Sequence, residues 1–597
     1  MTAYQAPLKD IRFTLRHICD LAGLTALPAL SGSDLEVIDA ALDEAGKLAA
    51  EVLAPLNRQG DTEGARLENG VVRTPEGFRE AYAAYRDGGW NALPFDPDYG
   101  GMGLPWLIGN VCGELWNSAN MGFALCPLLN QGAVEALHAH GSDTLKDIYL
   151  GKLISGEWTG TMNLTEPQAG SDVGALRAKA EPTGDGRWKI TGQKIFISYG
   201  EHDFAENIVH LVLARTPDAP AGTRGISLFL VPKFLVNEDG SLGERNDLRC
   251  VSLEHKLGIH ASPTAVMSYG DNGGAIGWMI GEENKGMRCM FTMMNAARLS
   301  VGIQGVAIAE RAYQQAANFA RERRQGKALG AAGPESAAIV EHADVRRMLM
   351  TMKAQIDAMR AICYVNAEAI DTSRHHPDAE VRAWNGKLVE LLTPVAKAWS
   401  TDVGCEVASL GVQIHGGMGF IEETGAAQHF RDARITPIYE GTNGIQAMDL
   451  VMRKLPMDGG EVVTWYLDQI RANAEALSVA GGDLAVMGRN LGQAVASLSE
   501  ATAWCLKAMA EDPRAAASGC SPYLQMFGLT LGAHFLGRGA LAAAEALREG
   551  SEDEAFLRGR IATARFFAEQ ILPRVEGLQP AATAGTELLY ALDAEAF

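Results

Sequence analysis

The 597-residue sequence lacks any excess of positive charge; its formal net charge at pH 7 is −21. Gripping a phosphate backbone requires a basic surface that displaces counterions, so a general nucleic-acid binder is excluded. It also lacks a C-x-x-C pair, its nine cysteines being scattered at positions 19, 112, 126, 250, 289, 363, 405, 505 and 520. That scatter argues against a disulfide framework and fits thiols used as small core residues in a reducing compartment. No cluster with metal-ligand spacing is present, and His375 and His376, which precede Pro377, are expected on a surface turn. The N-terminal MTAYQAPLKDIRF has no apolar signal core, and no apolar run approaches a membrane span. A soluble, cytoplasmic protein is therefore expected. No G-x-G-x-x-G follows a strand pattern, which leaves out a dinucleotide held on a Rossmann unit.

What is present is enough apolar residue, 47%, to build several cores over a length too great for one. Residues 1–35 read as an N-terminal extension with Leu8, Ile11, Leu15 and Ile18 at helical spacing. Residues 36–158 read as a helical domain, with Ser33 as a candidate cap and Val37, Ala40, Ala41 and Leu48 as the buried side of its first helix. The Pro/Gly/Asp-rich LPFDPDYGGMGLP (93–105) must be a loop. Over 159–281 the period changes: KITGQKIFIS, NIVHLVLAR, GISLFLVP and TAVMSYG read as strands of an inserted β domain.

Helices return over 282–455, with Met287, Met290, Met294, Ala297 and Val301 forming a stripe that reads as core. Further helices are expected at about 335–370, 379–411 and 422–430. Residues 465–597 read as a C-terminal domain of three or four helices, whose Ala/Gly-rich Leu531–Leu547 suits close packing. The fold class is mainly α with an inserted β domain.

Chemistry concentrates in QIHGGMGFIEETGAAQHFRDARITPIYEGTNGIQ, residues 413–446. Glu440 follows Pro437, Ile438 and Tyr439 and precedes Gly441. Apolar surroundings raise a carboxylate's pKa and strengthen it as a base toward a weak carbon acid, whereas a solvated loop glutamate would have no such role. In TMNLTEPQAGSDVGALRAKA (161–180), small residues after a Thr-Glu-Pro turn let a flat or anionic ligand reach backbone N–H groups. The arginines Arg298 and Arg323 suit a phosphate or carboxylate, the bland alternative for Arg321, Arg323 and Arg324 being a solvated helix end.

In their order, these motifs resemble the acyl-CoA dehydrogenase family over residues 35–455. The resemblance implies a helical domain, a β-barrel-like middle domain and a helical bundle, followed here by the extra C-terminal helical domain. It implies FAD, with Met162, Leu164, Thr165, Gly170 and Ser171 along the flavin and Ser171 also toward substrate. Phe196 and Ser198 stand where the family has Trp and Thr, keeping an aromatic face and a hydroxyl. Tyr199 replaces an Asn and is expected to reshape the pocket edge. Arg323, Gln413, Gly416 and Gly417 match positions that reach the FAD of a neighbouring subunit, so a homodimer is expected. The segment at Gln325 is one residue shorter than in the family.

Arg298 matches an arginine near the base, and Asn295 replaces an Asp that contacts CoA. Thr442 matches a flavin-binding threonine, while Asn443-Gly444 replaces Ser-Gln, and Gly441 adjoins the substrate. By resemblance Glu440 removes the α-proton of an acyl-CoA, a hydride passes to flavin N5, and trans-2-enoyl-CoA leaves. Electrons then pass to an acceptor such as an electron-transfer flavoprotein. Glu422 and Glu423, the nearest other glutamates, are expected on the polar face of the following helix.

The extension and added C-terminal domain resemble the longer bacterial members, whose substrates include short and medium acyl-CoAs and 3-methylmercaptopropionyl-CoA. An acyl-CoA oxidase is the close alternative. A DNA-binding relative with a basic C-terminal domain is disfavoured by acidic runs such as Glu549-Gly-Ser-Glu-Asp-Glu.

Overall fold

The computed structural model describes residues 3–330 and 336–597, and the chain divides into two compact units. One comprises 44–104 and 115–300 and holds the β layer; the other comprises 1–43, 105–114 and 301–597 and is helical.

The β-bearing unit opens with a hairpin, β1 (Arg66–Glu68) and β2 (Val71–Arg73), inside a region expected to be helical. Asn69 and Gly70 turn it with φ of 52° and 79°. Asn-Gly tolerates two successive positive φ angles, which is why it makes the tight turn that suits strand twist. Ten further strands follow: β3 (Thr159–Asn163), β4 (Lys179–Pro182), β5 (Trp188–Ser198), β6 (Ile208–Ala214) and β7 (Ser227–Pro232), then β8 (Phe234–Val236), β9 (Leu242–Arg245), β10 (Leu248–Leu253), β11 (Thr264–Tyr269) and β12 (Ala275–Ile280). The main sheet runs β10-β11-β5-β12-β7-β6-β3, with β4 also on β5. Within it only β3 and β6 pair parallel, so this is not a βαβ sheet. Strands β6 and β7 are buried at every residue, which explains why their sequences are continuous apolar runs.

In the helical unit, Ala343–His375 and Ala379–His415 pack along each other. The first was expected from about 335; it starts at Ala343, and residue 335 lies outside the described residues. The C-terminal part has four long helices, Glu461–Ala480, Gly482–Glu511, Cys520–Arg548 and Glu554–Phe566, and two short ones, Pro513–Ser518 and Arg574–Ala582. Its small residues permit a close approach: a Cβ on Gly528 would lie 2.2 Å from the Trp399 indole. Of the N-terminal extension, Met1 and Thr2 lie outside the described residues, and Leu8–His17 forms the expected helix. It packs Phe13 against Ala543 and Leu557, and Arg560 reaches Asp10 at 3.0 Å.

The helix Leu35–Lys47 corrects two expectations. Its cap is the Asp34 carboxylate, which accepts from Val37 N–H at 2.8 Å, rather than Ser33. Its buried side is Ile38, Leu42 and Ala45, continuing into Ala49; Val37 and Ala40 are exposed and Ala41 and Leu48 only partly covered. The true stripe is the i, i+4, i+7 row one residue further on. Among the described residues, all nine cysteines are free and eight are buried. No helix among them is long and apolar enough to cross a membrane.

Candidate active site

In the helical unit, Glu440 lies in the loop between the helices Ala426–Ala433 and Asn443–Asp449. Its φ is 59°, and Gly441 follows at 85°. A residue with a Cβ in the left-handed region costs about 1–3 kcal/mol unless its surroundings impose it, and such outliers gather at functional sites. Several contacts impose it here. Thr442 Oγ1 caps the following helix by accepting from Ile445 N–H at 3.4 Å, and Asn443 N–H donates to Pro437 O at 3.0 Å. The buried Gln446 amide donates to Glu440 O at 3.3 Å. Buried Lys397 donates to Gly441 O at 2.9 Å. Gly441 cannot be replaced freely, because a Cβ there would sit 2.7 Å from Gln446 Nε2 as well as adopt positive φ.

Glu422 and Glu423 do not lie on the following helix. They belong to a separate 3-10 turn, Glu422–Thr424, ahead of it, where both are exposed and Glu422 pairs with Arg431 at 2.9 Å. The left-handed Gly425 breaks the backbone between turn and helix.

Gln413 lies at the end of Ala379–His415, and Gly416, at φ 59°, terminates that helix. Gln413, Gly416 and Gly417 are all exposed, and no atom lies within 4 Å of a Cβ built on either glycine. Beside them Met418 and Phe420 are 52% and 86% exposed. His415 is buried, held to Gly411 O and stacked on Phe319. Arg323 is exposed just past the end of Gly286–Glu322 and donates to Gln325 Oε1 at 3.1 Å.

In the β-bearing unit, the Thr-Glu-Pro turn and β5 come together. Ile195 N–H donates to Thr165 O at 2.9 Å, and Lys194 Nζ donates to Leu164 O at 2.9 Å and pairs with Glu166 at 2.8 Å. Lys194 is fully buried; burial pushes its ammonium down to about 8. Burial acts to raise Glu166, but Lys194 and the N–H groups of Arg177 and Ala178 outweigh it and hold the carboxyl below its usual value. This buried clamp was not foreseen. Its signal was a lysine inside the strand pattern KIFIS.

Phe196 sits in a β-bulge. Opposite β11, the register steps from Ala265↔Ile197 to Met267↔Lys194, and Phe196 takes φ of 60°. A bulge re-aims side chains, and the Phe196 ring is left 58% exposed. Ser198 is half-buried two residues on, Met162 is half-buried on β3, and Gly170 and Ser171 are exposed, with open space where a Gly170 Cβ would stand. An open aromatic ring, nearby hydroxyls and an unobstructed glycine fit a flat heteroaromatic cofactor.

Tyr199 is buried, with φ of 52°, and donates to Gly122 O at 2.6 Å. Asn295 and Arg298 stand one turn apart on Gly286–Glu322, Arg298 reaching Asn295 Oδ1 at 3.4 Å. They belong to the β-bearing unit, and Glu440 belongs to the helical one.

Removing the Lys194 charge tests the clamp. Lys194→Met strands Glu166 and frees the Leu164 carbonyl. A lost hydrogen bond to a charged group is worth about 1.5–3 kcal/mol, so the fold is expected to lose about that much, read as a lower midpoint in urea unfolding.

The strand layer and the helical bundles are the domains that comparison with known proteins identifies. Family models for the acyl-CoA dehydrogenase N-terminal domain, middle domain and C-terminal domain match residues 37–157, 161–271 and 284–455. A fourth, acetyl-CoA dehydrogenase C-terminal like, matches 466–593. The chain belongs to the acyl-CoA dehydrogenase family, oxidoreductases acting on CH–CH bonds.

It is 50% identical to 3-methylmercaptopropionyl-CoA dehydrogenase of Ruegeria pomeroyi, over 95% of this chain and 96% of that one. It is 36% identical to a butyryl-CoA dehydrogenase of Syntrophomonas wolfei, over 96% of both. Among solved structures, the acyl-CoA dehydrogenase of Bacillus anthracis complexed with FAD shares the fold, with a TM-score of 0.75 at 19% identity, over 96% of this chain and 91% of that one.

Proposed function

We propose that the chain converts an acyl-CoA thioester to trans-2-enoyl-CoA, with Glu440 as the base that takes the α-proton. The observation that carries this reading is the loop itself: a carboxylate on a left-handed residue, fixed on its C-terminal side by a buried lysine and a helix cap. A general base must be held within hydrogen-bond reach of a weakly acidic proton. The Glu440 backbone N–H donates to the thioester oxygen, stabilising charge that develops as the proton leaves. Gly441 leaves room for the acyl group, Asn295 takes the place of a contact to the CoA portion, Ser171 adjoins ligand, and Arg298 takes the place of an arginine near the base.

Met162, Leu164, Thr165, Gly170, Ser171, Phe196, Ser198 and Thr442 hold FAD. FAD, when bound, supplies the two-electron acceptor for the β-hydrogen. An electron-transfer flavoprotein is the proposed acceptor from the reduced enzyme. Identity to the Ruegeria protein makes 3-methylmercaptopropionyl-CoA the first substrate to test, followed by short and medium straight chains.

Arg323, Gln413, Gly416 and Gly417 complete the FAD site of a second copy, which makes the working form a homodimer. Exposed Met418 and Phe420 beside those glycines support this, since apolar surface of that kind is normally covered. The purified protein is expected to be yellow, dimeric by light scattering and loaded with about one FAD per chain, and to bleach with acyl-CoA under nitrogen. Colourless protein that takes up no FAD overturns the reading, and FAD-loaded monomer overturns the shared site. Equally fast reoxidation by air would assign the oxidase activity instead.

A further inference from the structure

Lys397 lies in the apolar run Leu391–Trp399 of the Ala379–His415 helix and is fully buried. A buried ammonium persists only where acceptors hold its protons. Lys397 Nζ donates to Gly441 O at 2.9 Å and to Asn443 Oδ1 at 2.8 Å. Asn443 Nδ2 donates in turn to Ala398 O at 3.0 Å and Asp402 Oδ1 at 2.7 Å. The other Asp402 oxygen accepts from Gln525 Nε2 at 2.8 Å. Gln525 is on Cys520–Arg548, in the C-terminal part that supplies no group to the proposed chemistry. An unbroken line of hydrogen bonds therefore runs from the carbonyl one residue beyond Glu440 to the C-terminal helices.

Physical chemistry gives that line a task. Glu440 and Gly441 form two consecutive left-handed residues, and the strained one carries a side chain. Gln446 Nε2 holds the Glu440 carbonyl at 3.3 Å, and the shortest bond to the Gly441 carbonyl is that of Lys397 at 2.9 Å. If the Gly441 carbonyl is released, Glu440 can relax toward an ordinary φ, which swings both its carboxylate and its N–H. Placement of a reacting group within about 1 Å is worth on the order of 100-fold in rate. Asn443 passes the constraint on because its amide presents an acceptor to Lys397 and donors to Asp402.

We propose that Lys397, Asn443, Asp402 and Gln525 form a positioning relay through which the C-terminal helices set the geometry of the Glu440 loop and hence the rate of α-proton removal. The proposal rests on Glu440 being the base. It also gives the C-terminal helices a part in turnover without contact with substrate.

The test uses full-length, FAD-loaded protein and three variants, Lys397→Met, Gln525→Leu and Glu440→Gln. Each is measured for flavin reduction by acyl-CoA under nitrogen, for acyl-CoA binding by the shift of the flavin band, and for amide hydrogen exchange over residues 437–446. Lys397→Met is expected to slow reduction about 10- to 100-fold and Gln525→Leu about 3- to 10-fold. Binding midpoints should stay within about twofold of the parent, and exchange should quicken in 437–446. Gln525→Leu carries the test by itself if Lys397→Met does not fold.

Parent-like reduction and exchange in Gln525→Leu, beside an inactive Glu440→Gln, would overturn the relay and leave the base in place. Binding and rate lost together, with faster exchange throughout the C-terminal helices, would also overturn it, since that is the pattern of general destabilisation. A Glu440→Gln variant that reduces like the parent would overturn the base reading instead. The exchange data would still decide whether the relay holds the loop.

Discussion

Glu440→Gln is expected to abolish flavin reduction by acyl-CoA while leaving FAD content and folding intact. The amide keeps the size of the carboxylate, so the strained loop has no steric reason to rearrange. It cannot accept a proton from carbon, and loss of a general base costs about 10²–10⁴ in rate. The nearest other glutamates in sequence, Glu422 and Glu423, are exposed on a separate turn. Acyl-CoA should still shift the flavin band without bleaching it. Glu423→Gln serves as the control and should reduce within about twofold of the parent, as exposed substitutions away from a site usually do. Reduction by Glu440→Gln at near the parent rate, with every acyl-CoA that bleaches the parent, would defeat the assignment.

The second large effect concerns stability. Arg360 is buried, with Glu114 at 2.6 Å, Glu310 at 2.9 Å and Asp357 at 3.4 Å. Tyr364 donates to Glu114 at 2.6 Å, and Arg560 ties Asp357, at 2.7 Å, to the N-terminal extension through Asp10. Removing one partner of a buried pair costs about 3–5 kcal/mol, because a charge is left without compensation. Arg360→Met strands two carboxylates at once, so the loss should reach or exceed that range, read as a lower midpoint in thermal or urea unfolding.

The pH dependence has a definite sign. Burial already raises the Glu310 carboxyl above its usual value, against the pull of Arg360. Without Arg360 it rises further. A carboxyl whose folded pKa exceeds its unfolded pKa favours the fold at low pH and loses that contribution as pH climbs through the folded value. The deficit of Arg360→Met should therefore be smaller near pH 5 than near pH 8. A deficit that does not change with pH would show that lost packing, rather than stranded charge, sets the cost.

The fold class and the family were legible because their signals are local and ordered. A change from helical to alternating period marks the β layer without any knowledge of strand order. The Tyr-Glu-Gly-Thr loop, the Thr-Glu-Pro turn and the Gly-Gly helix end each read within a dozen residues. The hairpin at Asn69-Gly70 was legible on the same terms and was passed over amid helical surroundings. The face of Leu35–Lys47 was misplaced by one residue because Val37 looked like an anchor; once Asp34 caps the helix, Ile38 turns inward and Val37 outward.

By itself the sequence determined the alternation of helical and strand regions and the family. Only the tertiary structure decided how that loop is held. The Phe196 bulge exists because β11 offers one residue, Val266, against two of β5. Lys397 looks like a stray charge in an apolar helix until Gly441 and Asn443 come to meet it. Arg560 and Asp10 meet although they stand 550 residues apart in the chain. Periodicity and motifs are set by neighbours along the chain. A buried ion's partner is set by whichever distant group the packing brings to it, and many pairings satisfy the same sequence until the fold selects one.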